Sequence, residues 1–247
     1  MSIDWLEPET TVRGSVVVVA GRGEHAGVYG RFARRIAFDG YRVAVVENDP
    51  TSASAAVDDA DGALPIVLAG SDSGALTALT VASSRGDVTG VVAAGLLVDA
   101  AATSNSATSN AATSNAATTA DWTDELELRS ACPVHRGVLD AAANLDRDAL
   151  ATRAPGATTD VLSVVRVPAL VVHGTADVVS PVDGVVRVAD SLPDARVVLV
   201  DGGRHDILND VSHRSVAAET VQFLERLRLP GAPDILVRSA VGALAAS

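Results

Sequence analysis

The stretch Gly70-Ser71-Asp72-Ser73-Gly74 closes the apolar run Leu64-Pro65-Ile66-Val67-Leu68-Ala69 and opens Ala75-Leu76-Thr77-Ala78-Leu79. It reads as a strand, a very tight turn and a helix. Glycines two residues before and after the centre let strand and helix approach each other, and the central side chain, Asp72, is pushed out where a ligand can reach it. Around this elbow, six runs rich in Val, Ile, Leu and Ala predict buried strands: Ser15–Ala20, Arg42–Glu47, Pro65–Gly70, Val88–Val98, Ala169–Gly174 and Arg196–Asp201. They are continuous rather than alternating, as in a parallel sheet covered on both faces. Helical patterns at Val28–Phe38, Gly74–Ser84, Val182–Ser191 and Ser212–Arg228 alternate with them and predict an open α/β sheet.

The 247 residues, 48% hydrophobic, suffice for one large core and require no second domain. The net charge of −12 sets acidic residues against arginine alone, since the chain has no lysine. Such a surface repels nucleic acid and anionic membrane. The single cysteine, Cys132, excludes an internal disulfide framework and fits a reducing, cytoplasmic setting. The N-terminal residues lack a secretory pattern, and no apolar run approaches the roughly 20 residues that span a bilayer. The expectation is a cytoplasmic protein with no integral membrane segment.

From Asp99 to about Thr159 the strand–helix alternation stops. Residues 101–120 contain only Ala, Thr, Ser and Asn, with Ala-Thr-Ser-Asn recurring at 102, 107 and 112, and read as a low-complexity connection. Beyond it, Trp122–Arg129 and Gly137–Asn144 have helical character, with Cys132-Pro133 as an interruption. The expected organisation is a core of residues 1–98 and 160–247 with a lid of residues 99–159 over the carboxyl ends of the strands, where open α/β sheets bind ligands. The tail after Leu229 reads as packing or as an oligomer contact.

Three segments carry chemistry: the elbow, His173-Gly174-Thr175-Ala176-Asp177 after the fifth run, and Asp201-Gly202-Gly203-Arg204-His205-Asp206 after the sixth. Their order of nucleophile, acid and histidine resembles that of the α/β-hydrolase superfamily. The loop Ala20-Gly21-Arg22-Gly23-Glu24-His25-Ala26-Gly27-Val28-Tyr29 looks like the "HGxGEHxGRY" loop of its monoacylglycerol lipase and lysophospholipase branch. His205-Asp206-Ile207-Leu208-Asn209-Asp210 is similar to that branch's "HExxNE". The resemblance implies an α/β-hydrolase fold, a mostly parallel open sheet with helices on both faces and a helical lid insertion, and a hydrolase that needs no cofactor and no metal. It implies that Asp177 is the acid and His205 the general base. The backbone N–H groups of Arg22 and Ser73 would form the oxyanion hole.

The sequence departs from that branch at two positions. Ala20 stands where a histidine is usual, and Asp72 where the serine nucleophile is. A carboxylate nucleophile suits saturated carbon, where it displaces a halide or opens an epoxide and leaves an ester that water can cleave; on a carboxylic ester it would form an anhydride. The residue therefore points to the Asp-nucleophile relatives, haloalkane dehalogenases and epoxide hydrolases, and to a small apolar substrate. The dehalogenase tryptophan is replaced by Ser73, and the only tyrosines, Tyr29 and Tyr41, precede the lid. Two alternatives stay open: an ester or lysolipid hydrolase using Ser71 or Ser73, and a hydrolase fold that binds without catalysis.

Other residues have plain structural readings. Asp177 could cap a turn, His205 could be a solvated loop residue, His173 reads as packed, His25 as bracing its loop, and His213 as solvated. His135 and Cys132 are too few for a metal site. Asp99 is a secondary candidate for the acid. Gly21-Arg22-Gly23 with Glu47 after the second strand keeps a dinucleotide-binding loop as a further alternative, one that would leave the elbow and His205 unexplained.

Overall fold

The computed structural model describes residues 3–98, 116–117, 119, 121–229 and 231–232. Asp99, nearly all of the low-complexity stretch and most of the C-terminal tail lie outside the described residues.

A seven-stranded sheet has the order β1-β3-β2-β4-β5-β6-β7. Its strands are β1 (Trp5–Leu6), β2 (Gly14–Val19), β3 (Tyr41–Val46), β4 (Ile66–Ser71), β5 (Gly90–Ala94), β6 (Ala169–Gly174) and β7 (Ala195–Val200). All six expected runs are strands, paired in parallel. The seventh, β1, was not foreseen; its two residues pair antiparallel with Ala44 and Val43 at the sheet edge and are too few to show a pattern. The fourth run is shorter than expected. At Gly95 the chain turns with φ +54°, and a side chain there would strike the His205 carbonyl oxygen.

Alternate residues of each central strand feed two cores. Val17, Val19, Ile66, Leu68, Val91, Ala93 and Val171 pack with α2 (Pro50–Asp58), α3 (Ser73–Ser84) and α7 (Val182–Ala189). Val16, Val18, Val67, Val92, Leu170 and Val172 pack with α1 (Gly30–Phe38) and α8 (His213–Arg228). Both faces are thus covered, which is why the strands read as unbroken apolar runs; each fully buried Val contributes on the order of 1.5–3 kcal/mol. Helix α2 was not expected. Its start is written in Asp49-Pro50: the Asp49 carboxylate accepts from the N–H groups of Thr51 and Ser52, both at 2.9 Å, and Pro50 sits in the first turn.

The elbow joins β4 to α3. A Cβ on Gly70 would lie 2.2 Å from the Gly74 carbonyl oxygen, and one on Gly74 would lie 2.2 Å from that of Ala20. Both glycines are needed because strand and helix backbones meet there without intervening side chains.

Between the sheet's fifth and sixth strands, α4 (Trp122–Arg129) and α5 (Pro133–Ala141) precede a short 3-10 turn, Ala149–Ala151, and α6 (Thr159–Ser163). The helical character breaks ahead of Pro133 as expected, but the second helix begins at Pro133 rather than Gly137. The proline occupies the first turn of α5, where its missing N–H costs nothing, with Cys132 as N-cap. Beyond the end of β5 and ahead of β6, Val98 and Ala157 form an isolated parallel bridge.

Buried polar contacts fasten α4 and α5 to the loops of the sheet. Arg129, 1% exposed, donates to Glu125 at 2.9 Å, to Glu24 at 3.2 Å and to the Arg22 carbonyl at 3.3 Å, and lies 3.6 Å from Asp206. His135 meets Asp206 at 3.0 Å. Asp210 accepts from the Ser130 hydroxyl at 2.9 Å and the N–H groups of Ala131 at 2.7 Å and Arg204 at 2.8 Å. Glu24, Asp206 and His135 lie close enough to ligate one ion, but Arg129 already supplies the positive charge between the carboxylates. Burial and the Asp206 charge push Glu24 up to about 7 against the pull of Arg129.

Two outcomes follow for equilibrium unfolding in urea. Gly74→Ala, which forces backbone apart, is expected to lower stability by about 1–3 kcal/mol, whereas Gly86→Ala, with nothing within 4 Å of the new Cβ, stays near the parent. Arg129→Met leaves buried carboxylates without their cation and is expected to cost about 3–5 kcal/mol; a loss under about 1 kcal/mol would mean that those acids are neutral or hydrated.

Candidate active site

Asp72 caps the start of α3 with φ 54° and ψ −125°. Backbone of this kind in a non-glycine residue stores on the order of 1–3 kcal/mol and is held by the packing of β4 and α3, whose backbones meet at Gly70 and Gly74 on either side of it. The turn aims the carboxylate at the loops that follow β2, β6 and β7. His205 Nε2 lies 2.9 Å from Asp72 Oδ1, and His205 Nδ1 lies 2.8 Å from Asp177 Oδ2. All three residues are buried. The other Asp72 oxygen, Oδ2, accepts from the Arg22 backbone N–H at 2.9 Å, from Arg22 Nε at 3.0 Å and from the Ser73 hydroxyl at 3.2 Å. The structure therefore brings together Asp72, Asp177, His205, Arg22 and Ser73.

The two serine alternatives are not at the histidine. Ser71 is buried at the end of β4 with its hydroxyl toward Tyr29. Ser73 points to Asp72 and to Asn48, whose Nδ2 donates to it at 2.7 Å. Asp177 performs the capping role as well as facing His205: its Oδ1 accepts from the N–H groups of Val179 at 2.8 Å and Ser180 at 3.0 Å. His173 is fully buried as expected, but it also braces the acid, with Nε2 at 2.7 Å from the Ser180 carbonyl and 3.3 Å from Asp177. His25 caps the turn Ala26–Tyr29 by accepting from the Gly27 N–H. His213 is half-buried, its Nδ1 3.1 Å from the Asp210 carbonyl.

The electrostatics follow from this packing. Burial pushes His205 down, but the charge and hydrogen bond of Asp177, and then those of Asp72, push it up to about 10. Burial likewise favours a neutral Asp72, yet the hydrogen bond and charge of His205 and the charge of Arg22 hold it well below the usual carboxylate range. Asp177 is also lowered, its burial outweighed by His205. Burial lowers His173, which stays neutral beside the acid. At neutral pH the line is carboxylate, imidazolium, carboxylate.

The loop that the dinucleotide alternative would use is already engaged. The Gly21 N–H donates to Tyr29 Oη at 2.9 Å and to Glu24 at 3.2 Å, and that of Arg22 donates to Asp72. No arc of N–H groups remains there for a pyrophosphate. Beside the loop is a cavity of about 600 Å³ bounded by Gly21, Arg22, Asn48, Ser73, Ala149 and Pro155 among others. Arg22 and Ser73, not Asp72 or His205, form its wall. The roles of Asn48 and Arg129 escaped the sequence reading, which followed residues near the three motifs and had no pairing signal for side chains so far away in the chain.

A family model described as TAP-like protein matches residues 148–235, which include Asp177 and His205. No curated protein matches the chain. Solved structures resemble it over most of its length. The monoacylglycerol lipase of Paleococcus ferrophilus is 19% identical, with 91% of this chain and 98% of that one covered and a TM-score of 0.66. A thermostable carboxyl esterase from Bacillus coagulans is 17% identical over 91% and 93%, with a TM-score of 0.69. A soluble variant of the monoglyceride lipase of Saccharomyces cerevisiae is 15% identical over 90% of each chain, with a TM-score of 0.67. Taken with the sheet order and the elbow, these likenesses show that the chain has the α/β-hydrolase fold.

Proposed function

We propose that the protein is a hydrolase that forms an ester on Asp72 and cleaves it with water activated by His205 and Asp177. The observation that carries this reading is the pairing of His205 Nε2 with Asp72 Oδ1 at 2.9 Å while Oδ2 rests on the Arg22 N–H. One oxygen faces the base and the other lies in the oxyanion loop. That division of labour is what a carboxylate nucleophile needs.

In the first step Oδ1 forms a bond to a saturated carbon and the leaving group departs with the bonding pair. An anionic leaving group needs no acid, and the Arg22 guanidinium offers positive charge at the cavity wall. Esterification cancels the Asp72 charge that helps hold the proton on His205. The imidazolium then releases that proton to solvent and becomes the base. It takes a proton from water as the oxygen bonds to the ester carbon, and the negative charge that develops on Oδ2 is met by the N–H groups of Arg22 and Ser73. Collapse returns the Asp72 carboxylate and frees the alcohol. The sum is substrate plus water giving alcohol, leaving-group anion and a proton.

Residues 99–159 serve in this reading as the lid of a core formed by 1–98 and 160–247. The substrate is small, with an apolar reacting carbon, and reaches Asp72 from the 600 Å³ cavity once the Arg22 side chain swings aside. The lipase-like neighbours favour apolar substrates, while the Arg22, Asn48 and Ser73 side of the cavity suits a hydrogen-bonding group at the other end. Among the described residues no helix is long and apolar enough to cross a membrane. A binding role without catalysis is favoured by one observation, the cover of Arg22 over a buried Asp72. The serine-dependent reading has no comparable support.

In heavy-oxygen water, a single turnover with an alkyl halide or epoxide panel is expected to label the Asp72 peptide. His205→Gln should stop after one equivalent, with the substrate carbon attached to Asp72 by mass spectrometry. Label confined to the product, or reaction of Ser71 or Ser73 with a fluorophosphonate, would remove Asp72 as the nucleophile; no turnover on any panel member, together with an unlabelled serine, would favour the binding role.

The proton states predict a pH profile for stability. His205 is raised from 6.5 to about 10, so its contribution is complete below about 6.5 and is lost as pH rises through 10. Asp72 is depressed, so its contribution is present above about 4 and is lost as pH falls through its folded value. Urea midpoints are expected to fall between about pH 7 and 10, and His205→Phe should flatten that alkaline limb.

A further inference from the structure

Three half-buried polar side chains beside the elbow form a chain in which every donor is fixed. Thr77, one helical turn after Ser73 on α3, donates its hydroxyl to Asn48 Oδ1 at 2.8 Å. The direction is set at the other end: the Asp72 carboxylate only accepts, so the Ser73 hydroxyl that donates to it takes its own hydrogen bond from the Asn48 amide nitrogen, and the amide oxygen is left to Thr77. The amide nitrogen then faces Ser73 and donates to its Oγ at 2.7 Å. With its oxygen accepting from Asn48, the Ser73 hydroxyl turns its own hydrogen to Asp72 Oδ2, 3.2 Å away. We propose that Thr77, Asn48 and Ser73 are a one-way hydrogen-bond relay that makes the Ser73 hydroxyl a third donor to the oxygen of Asp72 that becomes the oxyanion.

The argument rests on directions of donation. A free serine hydroxyl rotates and spends time pointing elsewhere; one that accepts a strong amide N–H is held, and a held donor loses no free energy to reorganisation when charge develops. Asn48 comes from the loop after β3, so the relay ties that loop to the elbow across the cavity wall that both residues form. Ser73 touches the reacting carboxylate and is the catalytic member. Asn48 and Thr77 act through it and are positioning residues. His205 is engaged on the opposite oxygen of Asp72, so the Ser73 hydroxyl makes no contact with it.

The catalytic consequence rests on the ester chemistry proposed above, but the relay itself is tested without turnover. Carbon-13 titration of the Asp72 carboxyl in the full chain is expected to move up by about one pH unit in Ser73→Ala. Asn48→Leu should move it in the same direction, and the double variant should go no further than Ser73→Ala alone. Thr77→Ser is expected to match the parent, while Thr77→Val shifts toward Asn48→Leu. With an ester-forming substrate, Ser73→Ala and Asn48→Leu should slow ester hydrolysis by roughly tenfold. An Asp72 titration unmoved by Ser73→Ala, or Asn48→Leu effects that add in full to those of Ser73→Ala, would overturn the relay. Absence of any Asp72 ester in the parent removes the proposed function instead, and the titration still decides the relay.

Discussion

Everything in this molecule converges on one imidazole held between two carboxylates. His205 can be protonated in a dry interior only because Asp72 and Asp177 stand on opposite sides of the ring, and each carboxylate can stay ionised only because the ring is charged. Removing any member leaves a buried charge whose desolvation is not offset, so the three are required together. Their placement demands a sheet whose β4, β6 and β7 all end at the same edge, and that demand fixes parallel pairing with helices on both faces. The Asp72 backbone stays in its strained conformation because β4 and α3, packed backbone to backbone at the elbow glycines, fix the chain on both sides of it.

A second cluster of buried charge sits directly behind the first. Arg129 links Glu24 and the Arg22 carbonyl, both in the loop after β2, to Asp206, the residue after His205. The spacing of Asp206 and Asp210 in the histidine loop thus has a mechanical reading: the first acid holds Arg129 and His135, the second holds residues 130 and 131. Helices α4 and α5 are joined by these contacts to the same two loops that supply Arg22 and His205. The geometry at Asp72 therefore depends on side chains that never approach it.

The strands, the elbow and the order of Asp72, Asp177 and His205 were legible because each is a local pattern: continuous apolar residues between covered faces, paired glycines at a close approach, polar residues at strand ends. The edge strand Trp5–Leu6 carries too few residues to display a period, and α2 was overlooked although Asp49-Pro50 states its start. The break read at Cys132-Pro133 does separate α4 from α5, but Pro133 belongs to the second helix, whose first turn a proline can begin. What the sequence could not disclose was pairing at a distance. Nothing in the chain tells that Arg129 meets Glu24, that Asn48 meets Ser73, or that His173 supports the acid as well as filling space. The choice among Asp72, Ser71 and Ser73 had the same character, since adjacent residues at a turn differ in direction more than in spacing.

The bridge between Val98 and Ala157 gives the intervening segment a distinct thermodynamic status. Its two ends are fixed side by side at the sheet, so what lies between them is a closed loop whose length enters stability only logarithmically. Doubling such a loop costs about 0.6 kcal/mol of closure entropy. That tolerance concerns length alone and does not extend to Glu125, Arg129, Ser130 and His135, which lie in the same segment and are buried against the loops of the sheet. Varying the length of the closed segment is therefore cheap, while loss of the buried contacts that tie α4 and α5 to the loops of Glu24 and Asp206 is not.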